Sequence, residues 1–201
     1  MEKIVIATHN PAKKERFRGV FTGMVKDILV LDDFGITEKP QEYGITAEEN
    51  AEIKARFYSR KLNLPVFSED EALYVDFLPP EKQPGVFVRR IEGKDEADDN
   101  KLLNYWERII AEVPKGKRTG RWHIAYSLAF PNNSIKKIVI DHEILFFSPP
   151  SKIILPGWPM SSLEGPVEFR KPHSELTDLE RKEHNRIADR LILGKLKELL
   201  F

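Results

Sequence analysis

Short apolar runs alternate with amphipathic stretches near the start of the chain. Lys3 to Ala7 is a continuous apolar run after its first residue and predicts a buried strand. Pro11 to about Thr22 predicts a helix, with Asn10 as its cap and proline in the first helical position. A second apolar run at Asp27 to Leu31 predicts another strand. The chain therefore begins with strand–helix units.

A capping box predicts where the second helix begins. Thr46 is followed three residues later by Glu49, and the helix is expected to run to about Leu62. An apolar strand is predicted from Pro65 onward. We expect it to break at the acidic stretch from Ser68 to Glu71 and to resume as a second apolar run.

The second half of the chain has a different pattern. Asp95 to Ala111 predicts a helix, and Arg121 to Phe130 and Lys136 to Phe147 predict two strands around a turn. Leu179 to Leu200 is the longest helical pattern. Its residues expected in the core are Ile187, Leu191, Leu196 and Leu200. Strand–helix units, a later meander and a closing helix predict an α/β fold with a mixed sheet.

Composition narrows the class of protein. A chain of 201 residues with 41% hydrophobic residues can bury a sizeable core, as one large domain or two joined lobes. The 32 basic and 32 acidic residues give no net charge, which argues against a broad electrostatic surface for nucleic acid or an anionic membrane. A small charged ligand in a local pocket remains compatible with that balance.

Cysteine content and leader patterns add two further expectations. The absence of cysteine excludes disulfides and thiolate metal sites. The N-terminus has no leader pattern, and no apolar run approaches the roughly 18 residues of a membrane span. We therefore expect a soluble cytoplasmic protein.

The turn after the first strand contains candidate anion-binding residues. Thr8 and Asn10 carry side-chain donors next to a helix N-terminus, whose free N–H groups and dipole suit a phosphate. Lys13 lies in the first helical turn, where a cation is unfavourable unless an anion offsets it. The alternative is a simple helix cap with a surface lysine. For this turn alone we favour that alternative, because it lacks a glycine-rich loop.

Three consecutive acids interrupt the predicted apolar strand. In an extended strand Glu69 and Glu71 would share one face and Asp70 would point to the other. A local break would instead bring them together. Together with Glu42, which precedes the capped helix, Asp70 would supply the oxygen ligands that Mg²⁺ prefers. The alternative is a solvated acidic turn.

Five segments of the first half follow one another in the order found in a known family. They include a Thr-x-Asn-x-x-Lys signature and a Glu-x-Gly-x-Thr segment that continues into Glu-Asn-Ala-x-x-Lys-Ala. The segments are Ile4 to Lys13, Glu42 to Ala55, Leu64 to Leu73, Pro84 to Arg90 and Asp95 to Leu103. In them the chain resembles the inosine triphosphate pyrophosphatase family, also called Ham1-like or non-standard purine nucleoside triphosphate pyrophosphatases.

This resemblance implies a fold and an association state. Family members have an elongated mixed β-sheet flanked by helices, with two lobes and a central cleft. Residues 1–201 would then form a single domain of this kind. The family is usually homodimeric, so a homodimer is expected.

The resemblance also implies a reaction. Family members use Mg²⁺ to hydrolyse the bond between the α and β phosphates of nucleoside triphosphates such as ITP and XTP, which yields a nucleoside monophosphate and pyrophosphate. By resemblance, Asp70 or Glu69 would orient the attacking water, and Glu42 and Asp70 would bind Mg²⁺. The residues that would hold the triphosphate are Thr8, Asn10, Lys13 and Lys54.

The resemblance is weaker where the family reads the base. The family has a Gly-Phe-Gly-Tyr-Asp-Pro segment, whose nearest counterpart in this chain is residues 157–162. Trp158 is the aromatic residue of that counterpart, and it would stack on a base. His184 matches the histidine of the family's Ser-His-Arg triplet, but Arg186 is displaced by one position, which turns a helical side chain by roughly 100°. The alternative is that Trp158 packs in a loop and His184 lies on a helix surface. Glu71 stands where the family has a small Ser or Thr.

The sequence is compatible with three functions. The first is a pyrophosphatase with the family's preference for deaminated purines, and the second is one with a shifted or relaxed base choice. The third is a catalytically weak nucleotide-binding protein.

Overall fold

The computed structural model describes residues 1–91, 97–155 and 158–200, with side chains described as far as Lys197. The helices in these ranges are α1 (Pro11–Phe21), α2 (Ala47–Leu62), α3 (Asp99–Ala111) and α4 (Asp178–Leu200). The strands are β1 (Lys3–Ile6), β2 (Asp27–Val30), β3 (Val66–Val75), β4 (Thr119–Ala129), β5 (Ile135–Phe146) and β6 (Glu164–Pro166).

The strands form one six-stranded sheet in the order β2-β1-β3-β4-β5-β6. β1 pairs in parallel with both β2 and β3, whereas β5 and β6 are antiparallel. The predicted α/β class with a mixed sheet is therefore confirmed.

The chain divides into two compact units. The first contains Met1–Glu71, Ile124–Ile140 and Asp189–Phe201, and the second contains Ala72–His123 and Asp141–Ala188. The interpretation as a single domain with a cleft between two lobes stays a prediction.

Aromatic packing organises the first unit. Phe67 of β3 makes edge-to-face contacts with Phe17 and Phe21 of α1, each with ring centroids 4.9 Å apart. Tyr126 of β4 stacks on Phe67 at 5.7 Å. Burying these large rings removes much apolar surface from water and holds α1 against β3.

The second unit has its own hydrophobic core around α3. Leu102, Trp106 and Ile110 lie one turn apart on the buried face of this helix, at the four-residue spacing of a single helix face. Trp106 stacks on Phe146 of β5 with ring centroids 6.4 Å apart. The predicted helix start at Asp95 lies outside the described residues, and α3 begins at Asp99 with Asp98 as its cap.

The predicted helix caps of the first unit are confirmed. Asn10 caps α1, and Pro11 occupies the first helical position. The side chain of Thr46 accepts from Glu49 N, and the Glu49 carboxylate accepts from Thr46 N at 3.2 Å, so the capping box of α2 is complete. These local signals depend only on neighbouring residues, which explains why the sequence is enough to predict them.

The predicted break in the acidic strand is wrong. β3 runs continuously from Val66 to Val75 through all three acids. The strand remains extended because lysines from two helices face successive acids and offset their mutual repulsion.

The predicted core face of α4 is partly wrong. Leu196 is buried as expected, but Leu191 is exposed and Ile187 is half-buried. The side chain of Leu200 lies outside the described residues. The buried positions are Ala188, Ile192 and Leu196, which follow the four-residue spacing of one helix face.

No α-helix among the described residues is long and apolar enough to cross a membrane.

The adjacent residues Leu191 and Ile192 test the buried face of α4. Ile192 is 0% exposed and Leu191 is 52% exposed. Because a cavity would remain in the core, Ile192→Ala is expected to lower the free energy of unfolding by about 2–5 kcal/mol. Leu191→Ala, the matched control, should change it by less than about 1 kcal/mol. Urea unfolding of both variants measures this, and equal losses would contradict the assigned face.

Candidate functional site

The turn after β1 is a well-formed helix cap. Asn10 Oδ1 accepts hydrogen bonds from Ala12 N at 2.9 Å and from Lys13 N at 3.4 Å, and Asn10 N donates to Thr8 Oγ1 at 3.2 Å. Two of the N–H groups that could face an anion are therefore already used by the cap. The charge that this turn offers to a ligand is the ammonium group of Lys13.

Lys13 faces one side of β3. It lies one helical turn before Phe17, which packs on Phe67, and Glu69 follows Phe67 on the same strand face. Lys13 Nζ is 3.5 Å from Glu69 Oε1 and 3.4 Å from Glu71 Oε1. The side chain of Glu69 is 4% exposed, whereas that of Glu71 is 41% exposed. Lys13 thus bridges one buried and one exposed carboxylate.

The group formed by Lys13, Glu69 and Glu71 has one basic and two acidic side chains. Burial alone would lower the pKa of Lys13, but the carboxylates of Glu69 and Glu71 outweigh it and raise that pKa. Burial raises the pKa of Glu69, and Glu71 adds to the rise while Lys13 opposes it. Glu69 Oε2 is buried and has no hydrogen-bond partner within the described part of the chain. A cation or a water molecule would satisfy this oxygen.

Lys54 faces the other side of β3. Lys54 Nζ donates to Asp70 Oδ1 at 2.5 Å and to Glu42 Oε2 at 3.2 Å. Ser68 Oγ donates to the Ala51 carbonyl oxygen at 2.5 Å, which ties β3 to α2. Because Lys54 is one turn after Ala51 and Asp70 is two residues after Ser68, this bond aligns the two charges. Burial raises the pKa of Asp70, with Lys54 opposing and Glu42 adding.

The loop that carries Glu42 is held by Asn50 of α2. Gly44 N donates to Asn50 Oδ1 at 2.9 Å, and Asn50 is buried. A Cβ atom at Gly44 would lie only 2.6 Å from both Asn50 Oδ1 and the Cβ of Glu49, so a side chain cannot fit there. This close approach gives a physical reason for the glycine and the asparagine in the Glu-x-Gly and Glu-Asn-Ala segments.

The structure therefore forms two charged groups rather than one acidic cluster. Lys13 meets Glu69 and Glu71, and Lys54 meets Glu42 and Asp70. Within residues 1–91, 97–155 and 158–200, no three Asp, Glu or His residues are close enough to hold a metal ion on their own.

The chemistry of the second group nevertheless fits Mg²⁺. Glu42 and Asp70 already converge on one positive charge, and both supply oxygen ligands. Mg²⁺ is usually bound through one or two carboxylates together with substrate phosphates. Two converging carboxylates are therefore an adequate protein contribution.

A small cavity adjoins the first charged group. Its volume is about 10 Å³, close to the minimum for one water molecule. Thr8, Lys13, Ser68 and Glu69 form its polar wall, and Phe17 and Phe67 are part of its apolar wall.

His9 of the turn after β1 takes part in a further polar contact, with Tyr58 of α2, which the sequence pattern did not indicate. His9 Nε2 is 3.2 Å from the hydroxyl of Tyr58, which donates to the Glu38 carbonyl oxygen at 2.8 Å. Burial, with Glu42 and Glu38, raises the pKa of Tyr58 to about 12. Tyr58 belongs to the apolar face of α2, so only its position in the fold reveals the polar contact.

The predicted base-binding residues lie in the second unit. The rings of Trp158 and His184 both make edge-to-face contacts with His173, with centroids 6.1 and 5.6 Å apart. Arg186 is instead held by Glu183 one turn earlier, with Nε 2.7 Å from Oε2. The structure thus brings Trp158 and His184 to a common neighbour and pairs Arg186 elsewhere. His173 was not predicted, because it lies in a segment without periodic pattern.

These features define an α/β protein with a site rich in lysine and carboxylate groups. A model of the Ham1 family matches residues 4–143. The chain therefore belongs to the Ham1 family.

Named relatives match most of the chain. A dITP/XTP pyrophosphatase of Bacillus cereus is 32% identical over 202 residues, covering 98% of this chain and 94% of that protein. A dITP/XTP pyrophosphatase of Bacillus subtilis is 31% identical over 141 residues, covering 69% of this chain and 68% of that protein.

Solved structures share the fold. The nucleoside-triphosphatase / dITP/XTP pyrophosphatase of Mycobacterium abscessus has a TM-score of 0.74 at 24% identity, covering 96% of this chain and 98% of that one. A HAM1 protein of Coxiella burnetii has a TM-score of 0.77 at 22% identity, covering 98% of this chain and all of that one (100%).

The partial burial of His173 predicts a pH-dependent contribution to stability. Burial, with the charges of His184 and Arg181, lowers the pKa of His173 from 6.5 to about 4. Between these values the unfolded chain binds more protons than the folded one, so the free energy of unfolding falls as the pH falls from 6.5 to about 4. In His173→Gln the free energy of unfolding should change less steeply with pH over this range. The difference between the two slopes should be below about 1.4 kcal/mol per pH unit, which is the limit for one proton.

Urea unfolding of His173→Gln and of the unsubstituted protein at several pH values across this window measures the difference. Identical slopes for the two proteins would contradict the assignment, since every other histidine is common to both.

Proposed function

We propose that this chain is a Mg²⁺-dependent nucleoside triphosphate pyrophosphatase that cleaves the α–β phosphate bond of deaminated purine nucleotides such as ITP, dITP and XTP. Family membership and the names of the relatives support this class of substrate. The observation that carries the proposal is the pair of lysines facing opposite sides of β3, each against carboxylates. Such an arrangement supplies both the positive charge that a triphosphate needs and the oxygen ligands that its metal needs.

The phosphate-binding groups belong to the first unit. We assign triphosphate contacts to the ammonium groups of Lys13 and Lys54 and to the side chains of Thr8 and Asn10. Asn10 Oδ1 is used by the helix cap, so this residue would contribute its amide N–H groups. Partial burial of both lysines strengthens their attraction to a multiply charged anion.

Glu42 and Asp70 are the residues that would hold Mg²⁺. The bound ion would supply charge neutralisation of the phosphates. Hydrogen bonds fix the segments that carry both carboxylates. Asn50 accepts from Gly44 N in the loop of Glu42, and Ser68, two residues before Asp70, donates to the Ala51 carbonyl oxygen.

Glu69 is the better placed of the two candidate residues for orienting water. Its Oε2 is buried and unsatisfied within the described residues, and the adjoining cavity is of one-water size. Burial also raises the pKa of this carboxylate, which makes it a stronger proton acceptor. Asp70 remains the alternative, because it also lies close to the proposed metal.

Base recognition is assigned to the second unit. Trp158 is 44% exposed and would stack on a base, and the imidazole of His184 would form hydrogen bonds with it. Arg186 would have to leave Glu183 to take part. A pyrophosphatase with an altered base preference is therefore the second candidate function. The ion pair between Arg186 and Glu183 favours it, because it keeps Arg186 from the base. A homodimer and a cytoplasmic location stay predictions.

A substrate panel tests the proposed reaction. The full chain is incubated with Mg²⁺ and ITP, XTP, GTP, ATP, dUTP or dTTP, and the products are separated by anion exchange. Monophosphate with pyrophosphate, fastest from ITP and XTP, is the expected result. Diphosphate with phosphate would reject cleavage at the α–β bond. Nucleotide binding without turnover would support the weak binding protein instead.

Asp70→Asn tests the metal assignment. The variant keeps the shape of the side chain but loses a charged ligand, so we expect turnover to fall by about 100-fold or more. Nucleotide binding should fall much less. Asp27→Asn is the matched control, because the side chain of Asp27 is 42% exposed and its carboxylate pairs with Lys3 at the long distance of 3.9 Å. Turnover by Asp70→Asn equal to that of the control would refute the assignment.

A further inference from the structure

The ammonium group of Lys13 is paired with carboxylates of the chain itself. Two carboxylate oxygens lie within 3.5 Å of Lys13 Nζ, one from Glu69 and one from Glu71. A phosphate that approaches this lysine must therefore compete with a carboxylate of the chain itself.

The two carboxylates differ in their ability to give way. Glu69 is almost fully buried, so moving it away from Lys13 would leave a charge in an apolar environment. Glu71 is 41% exposed and can turn into solvent at little cost. The partner that an incoming phosphate displaces is therefore Glu71.

We propose that Glu71 occupies Lys13 as an internal substitute for phosphate and must be displaced from it before a polyphosphate binds there. The inference rests on the proposed function in one respect, namely that Lys13 contacts the triphosphate.

The expected consequence is weaker binding of every phosphate ligand that uses Lys13. Each such ligand must first displace the Glu71 carboxylate, and the free energy of the Lys13–Glu71 pair is lost in each case. The same cost applies to a phosphate product that contacts Lys13, so Glu71 also favours release of that product.

Calorimetric binding of inorganic tripolyphosphate to the full chain, with and without Mg²⁺, tests the proposal. Glu71→Gln removes the charge and keeps the shape, so the dissociation constant is expected to fall about threefold to tenfold. Glu15→Gln is the matched control. It makes the same change of net charge on the exposed surface of α1, at a residue that forms no ion pair with Lys13. Its dissociation constant should stay within about twofold of that of the unsubstituted protein.

A second comparison separates competition for Lys13 from a general charge effect. In a Lys13→Met background, Glu71→Gln should change tripolyphosphate binding no more than Glu15→Gln does. Glu71→Ser provides an independent variant with the same expected direction. Equal affinities of Glu71→Gln and Glu15→Gln would overturn the proposal, as would weaker binding of Glu71→Gln in Mg²⁺, which would make Glu71 a metal ligand.

The readout distinguishes this inference from the proposed function. Binding of tripolyphosphate requires no turnover, so the Glu71 effect can be present in a chain that hydrolyses no nucleotide. Turnover of ITP with no Glu71 effect would instead leave the proposed function standing and overturn this inference.

Discussion

The alternation of side chains along β3 is the constraint on which the candidate site depends. Successive residues of a strand point to opposite faces, so the side chains of Glu69 and Asp70 leave β3 on different faces. Each is met by a lysine from a different helix, Lys13 of α1 and Lys54 of α2. Together the two lysines offset the mutual repulsion of three consecutive acids in this partly buried part of the strand.

Packing outside the site places these charges. The contact of Phe17 with Phe67 positions α1 on one face of β3, and the bond from Ser68 to Ala51 positions α2 on the other. Each contact lies close to a charged pair in the sequence. Phe17 is one helical turn after Lys13, and Ser68 is two strand residues before Asp70. The apolar and uncharged parts of these segments are therefore as necessary to the site as the charged residues themselves.

The sequence was sufficient where structure depends on near neighbours. The cap at Asn10, the box at Thr46 and the apolar face of α3 follow from short spacings, and the structure has all three. The continuity of β3 was not predictable locally, because the lysines that neutralise its acids come from distant segments. The buried face of α4 also differs from the prediction at Leu191, because this helix has leucine and isoleucine on several sides. His173 lacked any periodic signal and became visible only through its contacts with Trp158 and His184.

We propose that the two lysines on opposite sides of β3 bind one polyphosphate. A crystal structure of the full chain with Mg²⁺ and a non-hydrolysable nucleoside triphosphate analogue tests this proposal. We expect phosphate oxygens within hydrogen-bond distance of both Lys13 Nζ and Lys54 Nζ, with the metal on Glu42 and Asp70. A triphosphate that contacts neither lysine, while both keep their carboxylate partners, would contradict it.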